Sequence, residues 1–169
     1  MFQFHEFVEN WASLYRPMQH IPGPRSKNRR FYLVDSYMSM IDFAKSLPDA
    51  KSPCVVMESN QEGIVSDRFD YPEHTVYFMV KATDMQDGLA ANAAKLESKL
   101  HMMKFLAYLL TKKEEETPGL ENIDLERAEY VTTGPLYNGW YAVSLTLSNM
   151  SPYSRCIDEN DYVETPNVH

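Results

Sequence analysis

A long repeat of apolar residues in the second half of the chain limits the possible folds more than any other feature. The repeat has alternating spacings of four and three, at Leu89, Ala93, Leu96, Leu100, Met103, Ala107 and Leu110. We call these seven residues the stripe. Such spacing lines one face of an α-helix, so the sequence predicts one long amphipathic helix over residues 87–113. We expect the stripe to face the core, where each large side chain would contribute roughly 1.5–3 kcal/mol.

The residues at both ends of the repeat agree with a helix over residues 87–113. Asp84 or Asp87 can cap the first turn, and Lys112 and Lys113 suit the negative end of the helix dipole. Pro118 lies just beyond, where a helix cannot continue.

Other segments have a period of two and are expected to be strands. An Asn138-Gly139 turn between two such runs predicts a hairpin, with Tyr141, Val143, Leu145 and Leu147 directed toward the long helix. Before the long helix, residues 53–81 predict antiparallel strands, with Val76, Phe78 and Val80 on one side. The predicted strands are residues 31–34, 54–57, 75–81, 130–136 and 140–148.

Two shorter helices are predicted near the N-terminus. The first is indicated by the face formed by Phe4, Phe7, Val8, Trp11, Leu14 and Tyr15, and the second covers residues 35–47. The expected fold class is therefore α+β: an antiparallel sheet of four to five strands packed against one long helix, with one or two N-terminal helices. The expected organisation is a single domain over residues 1–150 and an acidic arm over residues 151–169.

Composition and charge exclude several classes of protein. Cys54 and Cys156 match no short disulfide or metal-ligand spacing, which favours reduced thiols and a cytoplasmic setting. We expect neither export nor membrane insertion, because the N-terminal residues lack a basic signal region and no apolar run approaches the ~20 residues of a membrane span. The net charge of −8 opposes general binding to nucleic acid.

No motif for catalysis or cofactor binding is present in the sequence. The six glycines form no phosphate-binding loop, and no serine lies in a GxSxG turn. His5 with Glu9 and Glu97 with His101 are spaced as metal ligands on a helix, but two ligands do not make a site. We therefore expect no cofactor, no metal and no enzymatic activity. An alternative is a small enzyme or ligand-binding domain with scattered site residues, namely Tyr77, His74, Glu58 and Asp70.

The charges are separated along the chain, which suggests contact between protein surfaces. Cations gather in residues 25–30, which we call the basic loop, and acidic residues gather in the C-terminal arm. Opposite charges on two surfaces guide their association. The candidate interface residues are Arg25, Lys27, Arg29, Arg30, Asp158, Glu159 and Asp161.

The order of these elements resembles that of tail terminators and related tail-completion or neck proteins of tailed bacteriophages. The shared order is an N-terminal helix, strands ending in residues 74–81, the helix over residues 87–113 and the strands over residues 130–148. The resemblance covers residues 1–150 and includes no diagnostic motif. It transfers no functional residue to a numbered position.

The resemblance implies a virion protein that forms a ring, commonly a hexamer, and joins the tail tube to the head. Other tail or neck proteins would be its partners, and DNA would pass through a negatively charged lumen without specific binding. The basic loop of one chain and the arm of the next could meet around the ring. The alternative from a third class is an adaptor that binds one partner as a monomer or dimer.

Overall fold

The computed structural model describes residues 3–23, 25–34, 45, 50–59, 62–65 and 69–152. Within these residues the chain has an α+β fold with two helices, one sheet and a short 3-10 turn. The helices are α1 (Phe4–Leu14) and α2 (Gly88–Glu114); the strands are β1 (Phe31–Val34), β2 (Cys54–Glu58), β3 (Glu62–Val65), β4 (Phe69–Lys81), β5 (Ile123–Thr133), β6 (Trp140–Asn149) and β7 (Ser151–Pro152). The predicted helix over residues 35–47 lies outside the described residues, apart from Lys45.

The sheet is mixed, with the strand order β1-β2-β4-β6-β5. Strands β3 and β7 also pair with β4, near its N-terminal end, so the path across the sheet is five strands wide. The prediction of a purely antiparallel sheet was wrong, because β1 pairs with β2 in parallel, with Phe31 opposite Val55. Parallel neighbours need a connection of about a dozen residues or more, and residues 35–53 provide that length between β1 and β2.

The main core lies between one face of the sheet and the two helices. Phe105 of α2 is fully buried and contacts the rings of Phe7 and Trp11 of α1, with centroids 6.2 and 5.1 Å away. The ring of Phe78 in β4 also contacts the Phe105 ring, with centroids 5.5 Å apart. These aromatic contacts join α1, α2 and β4, because edge-to-face and tilted ring pairs add to the energy of burial.

The face of α2 that packs into the core differs from the predicted one. Its buried residues are Ala94, Ser98, His101, Met102, Phe105 and Leu109, whereas all seven residues of the stripe are exposed. The expectation that the stripe faces the core was therefore wrong. Helix α2 carries apolar residues on two faces, and the aromatic cluster formed with α1 selects the face that contains Phe105.

The strand faces agree with the sequence pattern. Val143, Leu145 and Leu147 of β6 lie in the core with α2, as predicted, and so do Val76 and Phe78 of β4. Tyr141 and Val80 pack with Ala94 of α2. The opposite face of the sheet buries a second, smaller apolar cluster: Tyr32, Cys54, Val56, Met79, Trp140 and Ala142.

The loop between β5 and β6 is longer than a two-residue hairpin turn. Thr133 still pairs with Ala142, so the predicted antiparallel pair is present. The 3-10 turn Tyr137–Gly139 lies within the connection, with positive φ at Asn138 and Gly139. The Asn-Gly pair therefore reverses the chain as expected, within a wider loop. Pairing continues past residue 150, because Asp70 of β4 lies opposite Ser151.

Candidate functional site

The outer face of α2 is the main exposed apolar surface along a regular element in the described part of the chain. Leu89 and Leu96 of the stripe are 80% and 62% exposed, and Leu100 and Met103 are both 51% exposed. The stripe covers three heptads, which at 1.5 Å per residue extend about 32 Å along the helix. Large apolar side chains that are aligned on one rigid element form a contact surface, whereas scattered ones do not.

The start of α2 is set by a side-chain cap. The Oδ1 atom of Asp87 accepts a hydrogen bond of 2.8 Å from the backbone N–H of Leu89, which confirms the predicted cap. The last turn carries Lys112 and Lys113, and Lys112 Nζ lies 2.6 Å from Glu115 Oε2. The helix therefore has defined ends, and the stripe is held in a helical conformation before any partner arrives.

Charged side chains lie beside the stripe. The Nζ atom of Lys99 lies 4.8 Å from the centre of the Tyr130 ring and donates a 2.9 Å hydrogen bond to its hydroxyl. Glu97 is half-exposed, and its Oε1 atom lies 3.4 Å from Nε2 of the buried His101. Lys104 is exposed. The stripe is thus bordered by both signs of charge, as the contact face of a helix commonly is.

A buried contact below Glu97 fixes α2 against the chain that follows α1. The Tyr15 hydroxyl and Nδ1 of His101 form a hydrogen bond of 3.0 Å. Burial lowers the pKa of His101, although the Glu97 carboxylate opposes this effect. Burial also raises the pKa of the Tyr15 phenol. Both groups therefore stay neutral near pH 7, and the contact acts to position α2 rather than to transfer protons.

Strand β5 offers a second exposed surface at the edge of the sheet. Among the described strands it pairs only with β6, and a register irregularity separates Asp124 from Glu129 along that pairing. Tyr130 and Val131 are 49% and 61% exposed although they point to opposite faces. An edge strand with unpaired backbone groups can bind a further strand.

The basic loop divides into two exposed and two anchored cations. Arg25 and Lys27 are exposed, as expected for a contact surface. Arg29 is half-buried, donates to the Phe31 carbonyl at 3.2 Å and stacks over Tyr32. Arg30 is also half-buried and donates to the Pro53 carbonyl at 2.9 Å. Arg29 and Arg30 therefore hold the loop against β1 and β2, while Asp158, Glu159 and Asp161 lie outside the described residues.

A buried histidine holds the start of this loop. His20 Nδ1 accepts a 2.9 Å hydrogen bond from the Arg30 backbone N–H, so its proton lies on Nε2 and is donated to Glu9 at 3.0 Å. Beside this pair is an open cavity of about 310 Å³. Its lining residues are His5, Glu9, Gly23, Arg29, Phe31 and Leu33. Glu9 and Arg29 already have partners within the chain, so the cavity mainly results from the anchoring of the loop.

The scattered residues of the enzyme alternative do not form one site. The Tyr77 hydroxyl donates to Glu58 Oε1 at 2.7 Å, while His74 stacks on Phe4 with ring centroids 4.7 Å apart. Residues 74 and 77 of β4 face opposite sides of the sheet, so the two contacts are separated by the sheet itself. Burial and the contact with Glu58 raise the Tyr77 pKa. Burial likewise raises the pKa of the Cys54 thiol to about 12, which makes it a poor nucleophile.

Two further findings limit what the described part of the chain can do. It holds no group of three or more His, Cys, Asp or Glu side chains arranged to bind a metal ion. Neither described helix has the length and apolarity that crossing a membrane requires.

Comparison with known proteins leaves the surface itself as the guide to function. No protein-family model matches this sequence, and no curated protein matches it.

The feature that sequence reasoning assigned wrongly is also the main exposed apolar surface, since the stripe was assigned to the core. The same helix carries a second set of apolar residues, which includes Phe105. This second set was the sequence signal that a face other than the stripe could pack into the core.

Proposed function

We propose that this chain is a structural subunit that works by assembling with other protein chains. The exposed stripe of α2 is the observation that carries the proposal. Four leucines and a methionine of the stripe are 47–80% exposed, so a partner that buries them would gain about half or more of the roughly 1.5–3 kcal/mol that full burial of each such side chain contributes. Because α2 is already folded on the sheet, a partner gains this energy without the cost of ordering a helix.

We place this subunit in the tail or neck of a tailed bacteriophage, as a ring-forming tail terminator or head–tail joining component. The order of elements supports this placement: an α+β fold with an N-terminal helix, strands, a long helix and a closing strand pair. The net charge of −8 also suits a lumen through which DNA slides. The exposed Arg25 and Lys27 and the edge of β5, which pairs only with β6 among the described strands, are further surfaces for contacts around a ring.

The adaptor alternative differs from this proposal in its solution mass. An adaptor stays a monomer or dimer and uses its exposed surface for one foreign partner, whereas a ring component forms large closed species, either alone or when its tail or neck partners are added. The enzyme alternative has less support, because Tyr77 and His74 lie on opposite faces of the sheet.

Native mass measured over a concentration series, with negative-stain images of any large species, tests the proposal. We expect species larger than one chain of 19.6 kDa. Leu96→Glu should reduce this association at least tenfold, because it places a charge in the middle of the stripe. The matched control is Leu14→Glu at the end of α1, where the leucine is 64% exposed compared with 62% for Leu96.

Both variants should keep the fold, since each replaces an exposed side chain. A mass of one chain at every concentration for the wild-type protein would contradict self-assembly and favour the adaptor. Equal loss of association in both variants would show that the stripe has no special part in it.

A further inference from the structure

We infer that the stripe is covered by the same helix of a second copy of this chain, and that the two copies of α2 lie antiparallel. Ala93 of one copy then lies opposite Leu110 of the other, Leu96 opposite Ala107, and Leu100 opposite Met103. This inference rests on the proposed assembly function and names its partner. Spacing, side-chain size and charge in the stripe and beside it each support this arrangement.

The spacing of the stripe is that of a coiled-coil seam. Alternating steps of four and three correspond to the a and d positions of a heptad, with Ala93, Leu100 and Ala107 at a and the other four residues at d. The buried residues Ala94, Ser98, Met102 and Phe105 fall at b, c and f, on the opposite side of the helix. The sheet therefore covers the back of α2 and leaves the whole seam facing outward.

The sizes of the seam residues favour the antiparallel orientation. A parallel pair in register would place Ala93 against Ala93 and Ala107 against Ala107, which leaves gaps between larger layers. The antiparallel pair places each alanine opposite a leucine, so no layer consists of two alanines; Leu89, opposite Glu114, lies beyond these matched layers. More even layers leave smaller voids, as well-packed interfaces require.

Charges beside the seam select one register among the antiparallel ones. In an antiparallel pair the e positions of the two helices face each other, and so do the g positions. With Leu100 opposite Met103, the e residue Glu97 faces Lys104 of the second copy, and the twofold symmetry repeats this pair. Two opposite-charge contacts therefore flank the centre of the seam.

The competing arrangements bring like charges together. Sliding one helix by a heptad in one direction places Glu97 opposite Glu97 and Lys99 opposite Lys99; sliding it in the other direction places Lys104 opposite Lys104. The parallel pair places Lys99 near Lys104. Like charges at these positions destabilise the two shifted antiparallel registers and the parallel pair. Antiparallel helices also align their dipoles favourably.

This contact has a consequence for assembly. It is isologous, so it is complete with two copies and makes the two ends of the pair equivalent. A joint between a head and a tail has two different ends and needs heterologous contacts. The pair is therefore the form of the free subunit, which protects the stripe from other surfaces until tail or neck partners replace the second copy.

Charge reversal in the full-length protein tests the arrangement. Glu97→Lys and Lys104→Glu should each raise the dissociation constant of the homodimer about tenfold, because each replaces two attractive contacts by two repulsive ones. The double variant should return to within about threefold of the wild type. A mixture of the two single variants should form the heterodimer in preference to either homodimer, as measured by native mass spectrometry at low ionic strength.

The double variant also separates this effect from the loss of the Glu97–His101 contact, because it lacks that contact and yet restores the pair. If Lys104→Glu strengthens the homodimer, the parallel arrangement holds and the inference is wrong. A wild-type assembly that is insensitive to both reversals also overturns it, while leaving the assembly function in place. A wild-type protein that stays monomeric at all concentrations overturns both the inference and the self-assembly, and it favours the adaptor.

Discussion

Three buried histidines show how single residues fix this fold. His20 joins α1 to the basic loop through Glu9, His101 forms a hydrogen bond with the Tyr15 hydroxyl, and His74 stacks on Phe4. Each is at most 5% exposed. Their role is to hold neighbouring segments together, because an imidazole can pack as an aromatic ring and still accept or donate a hydrogen bond.

At the scale of the residue, the stability of the protein should depend on the protonation of His74. Burial lowers its pKa from 6.5 to about 4, so the folded chain binds fewer protons than the unfolded chain between these values. The free energy of unfolding is therefore highest above pH 6.5 and falls as the pH decreases toward 4, by up to about 1.4 kcal/mol per pH unit from this group.

The His74→Phe variant, which keeps a ring beside Phe4, should lose this part of the pH dependence. Urea unfolding of both proteins at pH 7 and at pH 5 measures the difference. If the free energy of unfolding falls equally in the two proteins between pH 7 and pH 5, His74 does not account for the loss of stability in acid. His101, whose pKa is also lowered, contributes in the same direction to both proteins.

At the scale of the element, α2 is a helix with two apolar faces, of which the sheet covers one. The inner face includes Met102, Phe105 and Leu109, and the outer face includes Leu100, Met103 and Leu110. Because the faces are opposite, their hydrophobicity cancels in any average around the helix. A helix of this kind is typical of an element that has neighbours on both sides.

Two adjacent leucines give a matched test of which face is the core. Leu109 is fully buried and Leu110 is 47% exposed. We expect Leu109→Ala to lower the free energy of unfolding by about 2–5 kcal/mol, because it leaves a cavity between α2 and the sheet. Leu110→Ala should change it by about 0.5 kcal/mol or less when the protein is dilute enough to be monomeric. Chemical denaturation of both variants measures this, and equal losses would contradict the assignment of the faces.

At the scale of the whole molecule, helix α2 and strand β5 leave apolar surface exposed within the described residues. The described core lies on one side of α2, and the stripe and the edge of β5 remain at the surface. The association that we propose would bury these surfaces, and they exist only in the folded chain. Binding of this kind shifts the unfolding equilibrium by mass action.

The melting temperature of the wild-type protein should therefore rise with protein concentration. For a homodimer, a hundredfold increase in concentration adds up to about 2.7 kcal/mol of stabilisation per dimer, or about 1.4 kcal/mol per chain, which for a domain of this size corresponds to about 3–5 °C. Leu96→Glu should remove this dependence, and Leu14→Glu should retain it. Scanning calorimetry over that range of concentration measures the shift; a wild-type melting temperature that does not change would argue against association of the folded chain.

The sequence by itself determined the elements that depend on neighbouring residues. The limits of β1, the cap at Asp87, the long helix and the alternating faces of β4 and β6 all follow from local period and local hydrogen bonding. These features require only residues that are close together along the chain. For that reason they could be predicted, whereas the role of Arg29 and Arg30 as anchors depends on contacts with Phe31, Tyr32 and Pro53 that the local pattern did not reveal.

Only the tertiary structure decided which face of α2 is the core and that β1 runs parallel to β2. Both faces of the helix satisfy a helical period, so the choice between them depends on the aromatic residues that α1 and β4 bring to Phe105. The direction of β1 likewise depends on its pairing with β2, which places Phe31 opposite Val55, 24 residues further along the chain. Period identifies an apolar face, but the surface that covers that face is set by contacts between residues distant in the sequence.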